Sequence, residues 1–318
     1  MIVGTTDGER LRLDRRIPER GEDGRRMALL MRSGMFGGDT RGAVITRAQT
    51  VEDLRGAYKL VHDSFVHKGY IRPRPSGIRL RPYEIVPEMA TFVAKVDDRV
   101  VGVLGVIIDL PDLGLPSEKV FADEIRHLRA SGAKPSESTN QAVLPEYRRS
   151  AVTTELIRAV YAHAFMKGCD EIIAAISPGH RGFYELLGAR QIASVRSYSR
   201  EVHDPVIVVS LHVHAPDERP DGHAVADRRF MWDFLVTNNP YHQHVGPWSL
   251  AAEGYFSQPS LLRELLAAGF ELPEEFSDDQ AMMIRRRIAE ALPGQRGSAQ
   301  ARSGDSAAEG AYIPQSDE

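Results

Sequence analysis

The chain has 318 residues, 42% of them hydrophobic, enough to bury one large core or two modest ones. Its formal net charge of −4 supplies no overall pull toward nucleic acid or a membrane, so an acidic partner has to be met by a local basic patch. The single cysteine excludes an internal disulfide, no apolar run approaches the roughly 20 residues of a membrane span, and Met27 to Met31, flanked by Arg25, Arg26 and Arg32, is too short for a signal-peptide core.

In chain order, residues 1–40 are rich in Arg, Gly and Asp without apolar periodicity and read as a disordered arm. Ala43 to Arg47 reads as a strand. Thr50, with Asp53 three residues on, caps a helix whose apolar face is Leu54, Ala57, Tyr58, Val61 and Phe65. Thr91 to Val96 and Val100 to Asp109 form a hairpin around Asp97-Asp98. Ser117 caps a helix through Val120, Phe121, Ile125 and Leu128 that stops at Gly132. A strand to Leu144, a helix to Gly168, the strand Glu171 to Ile176, a short helix at Phe183 and two strands, Arg190 to Arg200 and Val206 to Val213, complete the order βαββαβαβαββ. After Pro216 come helical pieces, Phe230 to Val236, Trp248 to Tyr255, Leu261 to Ala268 and Met282 to Leu292, then a Gly, Ser, Ala and Gln tail that reads as disordered.

Two segments carry the chemistry. Val143-Leu144-Pro145 closes the central strand and leads through Arg148-Arg149-Ser150-Ala151-Val152-Thr153 into a helix; the second segment is Pro178 to Ala189, with Phe183-Tyr184 and Leu187-Gly188-Ala189. In order and spacing they resemble the GCN5-related N-acyltransferase superfamily. There a V-x-P strand end and R-x-x-G-x-G/A present backbone N–H groups to the pyrophosphate of coenzyme A, and a Tyr in F-Y-x-x-L-G-[FA] protonates the leaving thiolate. The resemblance implies an α/β fold, a mixed central sheet flanked by helices, here with a C-terminal helical extension. Ala151 and Thr153 stand where the pattern has glycine, and a Cβ there crowds the approach of a bulky anion to a helix N-terminus. A bare phosphopantetheine arm suffers less from this than coenzyme A.

Further matches run from about Ile45 to Val213: Ala57 to Asp63, Lys68-Gly69-Tyr70, Ser76-Gly77-Ile78-Arg79, Asp109, Gly114-Leu115-Pro116, Glu124 to Arg129, and Pro178 to Tyr184. Through them the chain resembles the long-chain N-acyl amino acid synthases (FeeM-like), relatives of the N-acyl homoserine lactone synthases. The resemblance implies transfer of a long acyl chain from acyl carrier protein to the amine of an amino acid or similar small amine. Acyl-phosphopantetheine is then a donor substrate, with no cofactor bound permanently.

Homoserine lactone synthases use a Glu in a pattern like E-x-S-R-F-A-V as base. In that register Glu137 is the base here, Asn140 replaces the Arg, and Ser138 and Thr139 join the substrate pocket with Asp109 and Arg129. Tyr184 is the acid. An amine attacking a thioester needs such a pair, plus donors for the oxyanion. Arg72, Arg74 and Arg79 lie in a proline-broken basic loop, Lys68 to Pro82, suited to the acidic helix of a carrier protein; Arg148, Arg149 and Ser150 extend it toward the phosphopantetheine phosphate. Blander readings stand beside these. Glu137 is a solvated strand-edge carboxylate, the basic loop is solvated surface, Tyr184 shares an apolar helix face with Phe183 and Leu187, Asp109 is a turn residue, and Arg129 is a helix-terminal cation.

His212/His214 and His242/His244 lack Cys, Asp or Glu at ligand spacing, so no metal site is expected, and Cys169 reads as a buried small hydrophobe. The expected organisation is an arm (1–40), an acyltransferase core (41–215), a helical extension or lid (216–292) and a disordered tail (293–318), in the cytoplasm. Trp232, Phe234, Trp248, Tyr255 and Phe256 either shelter the acyl chain or pack elsewhere. Two other functions remain open: an acetyl-coenzyme A-dependent N-acetyltransferase, and a non-catalytic binder of acyl carrier or acyl-lipid.

Overall fold

The computed structural model describes Ala28, Arg32 and residues 34–292, except 87, 111, 199–203, 216–229, 252–258, 268–269 and 271–275. The expected tail and most of the expected arm, with Tyr255 and Phe256, lie outside the described residues.

Alternating apolar residues build the first half of the sheet. β1 (Val44–Arg47) pairs with β2 (Met89–Val96), which pairs antiparallel with β3 (Arg99–Ile108) across a tight turn. Asp97 and Asp98 take φ of 46° and 64° there, the left-handed pair that two-residue hairpins use. β3 pairs with β4 (Pro135–Val143), and β4 runs parallel to β5 (Glu171–Ile176). β5 pairs with β8 (Pro205–His212), which also carries two short partners, β6 (Arg190–Gln191) and β7 (Arg196–Ser197). The order is β1-β2-β3-β4-β5-β8-β6, an open eight-stranded sheet that is antiparallel except at β4/β5. The long strand expected over 190–200 is thus two two-residue pieces: Ile192 still donates to the Val208 carbonyl of β8 (2.9 Å), and Ala193 to Val195 separate the two.

Helices cover both faces. α1 (Val51–His67) starts as expected, with the Thr50 hydroxyl accepting from the Asp53 N–H. It packs with α2 (Glu118–Ala130) on the face of Val93, Val103 and Ile107. α3 (Val152–Met166) lies on the opposite face with Phe92, Leu104 and Val106. A Cβ at Gly102 would stand 2.8 Å from Val152 Cγ1, which is why α3 sits so close to β3. α4 (Arg181–Leu186) follows β5 and ends where Gly188 turns left-handed at φ 92°.

The helical pieces beyond Pro216 do not sit together over one site. A π-helical turn (Asp233–Thr237) and α5 (Tyr241–Ala251) pack on α3, where Arg158 donates to the carbonyls of Phe234 (3.0 Å) and Asn238. α6 (Pro259–Ala267) and α7 (Asp278–Ala291) join the core on the other face, through Leu261, Leu262, Leu265 and Ile284. Gln280 donates to the Leu113 carbonyl at 3.1 Å, and Arg287 pairs with Glu88. Among the described residues no helix is long and apolar enough to cross a membrane.

Candidate active site

The site forms where β4 parts from β5. Their ladder ends at Glu137/Ile173, whereas β5 stays paired with β8 as far as Ile176/Ile207. β4 bends at a bulge: Val103 faces Ala142 and Gly105 faces Thr139, leaving Asn140 and Gln141 opposite Leu104 alone. Asn140 takes φ 59°, a left-handed conformation that Asn tolerates and Arg does not favour. The extra residue reverses the alternation of side chains. Thr139 and Asn140 both turn to the α1 face, and Gln141 turns to the α3 face. Beyond Glu137 the backbone of β4 makes no ladder pair with β5.

Glu137 points to the α1/α2 face and is 2% exposed. This corrects the solvated strand-edge reading. Its carboxylate accepts from the Ser117 N–H at 2.8 Å and the Ser117 hydroxyl at 2.6 Å. Ser117 was expected to cap α2, but its side chain makes no capping bond; the hydroxyl is turned onto the carboxylate instead. Burial raises the Glu137 pKa to about 7, against the lowering effects of the Ser117 bonds and of Arg81 and Lys119. A carboxyl with that pKa is half-ionised near neutrality, as a general base requires. Tyr198 also meets the Ser117 hydroxyl, so Tyr198, Ser117 and Glu137 form a chain of proton-bearing groups.

Next to it lies a buried cluster that sequence reasoning missed. Glu84 is fully buried and accepts from Arg81 Nε (3.0 Å) and Asn140 Nδ2 (2.8 Å). Arg81 also donates to Thr139 Oγ1 (3.2 Å), and Arg79 donates to Asn140 Oδ1 (3.2 Å). Both arginines come from the segment between α1 and β2. The Arg-x-Arg spacing of residues 79 and 81 was the available signal. Arg79, at 3% exposure with its guanidinium 4.9 Å from the Phe65 ring, is therefore no surface docking residue, a correction to its expected place.

Tyr184 faces the other side. Its hydroxyl donates to Gln141 Oε1 at 2.7 Å, and burial raises its pKa, so the phenol stays protonated. It lines an apolar cavity of about 30 Å³ with Ser138, Leu104, Tyr161, Leu187 and Val209, a space of the size one or two waters need. Carboxyl and phenol thus flank the gap from opposite faces of the sheet.

Arg72, Arg148 and Arg149 are exposed and Arg74 is half-buried; Arg148 donates to the Val143 carbonyl at the end of β4 (3.1 Å). Lys68 and Arg148 are near neighbours: partial burial and the Arg148 charge lower the Lys68 pKa. The Ser150 hydroxyl is buried and donates to the Tyr147 carbonyl at 2.7 Å, so it shapes the turn into α3. Arg129 spans Asp109 (2.7 Å) and Glu118 and ties α2 to the end of β3. The structure thereby places Asp109 and Arg129 in one ion-pair network, away from Tyr184. Among the described residues no group of three or more His, Cys, Asp or Glu is placed to hold a metal. Cys169 is buried, and burial raises its thiol pKa.

The family match gives the class, an acyltransferase. The family model described as N-acyl amino acid synthase FeeM matches residues 56–212, just under half of the chain. Solved structures of similar fold include FeeM, an N-acyl amino acid synthase from uncultured soil microbes (24% identity, 54% of this chain and 91% of that one, TM-score 0.48). Another is BjaI, a CoA-dependent acyl-homoserine lactone synthase solved with SAM and isopentyl-CoA (18%, 64% and 90%, TM-score 0.43). A third is a putative N-acetyltransferase from Lactobacillus plantarum (16%, 54% and 99%, TM-score 0.39). No curated protein matches the chain significantly.

Proposed function

We propose that the protein moves a long-chain fatty acyl group from acyl carrier protein to the amine of an amino acid or similar small amine. The observation that carries this reading is Glu137, a buried carboxyl with a pKa near 7 at the last rung of β4/β5, across the gap from the protonated phenol of Tyr184. The amine approaches from the α1/α2 face and gives up a proton to Glu137 by way of Ser117. Its nitrogen attacks the thioester carbon in the gap, and backbone N–H groups of β4 beside the bulge stabilise the oxyanion. As the C–N bond is made and the C–S bond breaks, the thiolate takes the Tyr184 proton and leaves as the carrier's thiol. The cytoplasm suits this chemistry and the single, reduced cysteine.

A carrier donor is supported by the exposed cations Arg72, Arg148 and Arg149, of which Arg148 sits against the end of β4. Two measurements test it. Organic extracts of a bacterial host expressing the chain should contain new N-acyl amino acids by mass spectrometry. Charge reversal at Arg72, Arg148 and Arg149 should raise KM for the acyl carrier protein and leave KM for the amine nearly unchanged, since a docking patch acts on encounter with its charged partner. Equal turnover of acetyl-coenzyme A and long-chain acyl carrier protein would favour the ordinary N-acetyltransferase.

A further inference from the structure

Residues 34–41, assigned by composition to the arm, are packed across the N-terminus of α3. The Ala151 N–H, which an α-helix leaves without an internal partner, donates to the Asp39 carbonyl at 2.8 Å. The Thr154 hydroxyl donates to the Met35 carbonyl, and Arg41 donates to the Glu146 carbonyl in the turn before the helix. Phe36 anchors the strap. It is 1% exposed, edge-on to Phe230 at 6.1 Å and Phe234 at 5.2 Å. Arg41 and Gly42, at φ 54° and 79°, then turn the chain into β1. Ser150, Ala151, Val152 and Thr154 are all buried.

We infer that this strap is a donor-specificity element: the Asp39 carbonyl on the Ala151 N–H, with the Met35 carbonyl on the Thr154 hydroxyl beside it, covers the helix N-terminus and closes it to a diphosphate. The inference rests on the reading of the protein as a thioester-using acyltransferase. The Asp39 carbonyl satisfies the Ala151 N–H without a net charge, so a donor's diphosphate would have to displace it and leave it facing the diphosphate's own negative oxygens. A donor with one phosphate, held at the mouth by arginine side chains, meets no such competition. The methyl of Ala151 works in the same direction, since it fills space a bound anion would need. The strap therefore selects against coenzyme A thioesters and leaves carrier-bound phosphopantetheine unaffected.

The test loosens the strap in the full-length protein with Phe36→Ala and Thr154→Val, singly and together. Hydrogen exchange at the Ala151 amide reports how far each variant opens it, and calorimetric titration with coenzyme A reports binding without turnover. Coenzyme A affinity should rise in the order of Ala151 exchange, by tenfold or more in the most open variant. The KM for palmitoyl-coenzyme A should fall in step, with KM for palmitoyl-acyl carrier protein unchanged. Thr154→Val, which removes the hydroxyl bonded to the Met35 carbonyl and leaves the Phe36 anchor in place, covers the case in which Phe36→Ala does not fold. Faster Ala151 exchange with unchanged coenzyme A affinity overturns the inference, and so does wild-type affinity already equal to that of the variants. If the wild type acylates no amine from either donor, the functional reading fails, while the exchange and titration still decide the role of the strap.

Discussion

Glu137→Gln tests the energetics and the chemistry of the site at once. The Glu137 carboxyl has a pKa of about 7 in the folded chain against an ordinary 4.5, with burial as the chief cause. Between those values the folded chain holds a proton that the unfolded chain has released, so this group lowers stability as pH rises through the window. At about 1.4 kcal/mol per pKa unit, the full cost above pH 7 is roughly 3 kcal/mol. Glutamine keeps an oxygen for the Ser117 N–H and carries no charge to desolvate. The difference in unfolding free energy, variant minus wild type, should therefore grow by roughly 3 kcal/mol between pH 4.5 and 8. Taking the difference removes the other titrating groups. One is His163, whose pKa burial depresses to about 3 and which acts in the opposite sense, destabilising the fold as pH falls below the ordinary histidine value. Urea unfolding of both proteins at four pH values measures it. Over the same range the variant should lose about 10²- to 10⁴-fold in kcat/KM. Parallel stability curves would refute the elevated pKa; full activity would refute the role of Glu137 as base.

Ser117→Ala removes a bond that stabilises the charged carboxylate, so the lower limb of the kcat/KM pH profile should move above its wild-type position near 7; an unmoved limb would count against the Ser117–Glu137 contact. Tyr184→Phe should lower kcat less than Glu137→Gln does, about tenfold, because a thiolate leaves tolerably without a proton; an effect on KM alone would argue against an acid role. Asn140→Val forces a β-branched residue to φ 59° and strips the amide from Arg79, Arg81 and Glu84, at a cost of roughly 2–4 kcal/mol in urea unfolding. Asn140→Gly, which keeps the turn, should cost less, and equal costs would mean that the bulge is not strained.

Local signals carried most of the scaffold. Thr50 with Asp53, the Asp97-Asp98 turn and the apolar stripe of α1 are each readable within a few residues, and the structure follows them. The candidate residues Glu137 and Tyr184 were read from spacing, which says nothing of their environment. What bonds Glu137 is Ser117, 20 residues earlier, and what bonds Asn140 is Arg79, some 60 residues earlier. Neither partner has a pattern of its own. Ser117 looked like a helix cap because the same hydroxyl serves either purpose, and tertiary contact decided between them. Residues 34–40 lack periodicity because one phenylalanine and three backbone carbonyls hold the strap, and backbone carbonyls leave no compositional trace. The aromatic C-terminal pieces did mark buried surface, but composition did not say which face of the sheet each would join.

The central claim is that a buried carboxylate drives transfer of a carrier-bound acyl chain to a small amine. Purified protein supplied with palmitoyl-acyl carrier protein and a panel of amino acids, with products read by mass spectrometry, tests it most directly. The account predicts an N-palmitoyl amino acid and an equal amount of free carrier thiol, with both lost in Glu137→Gln. Palmitate released by water in place of an amide, or amide formed equally well by Glu137→Gln, would contradict it.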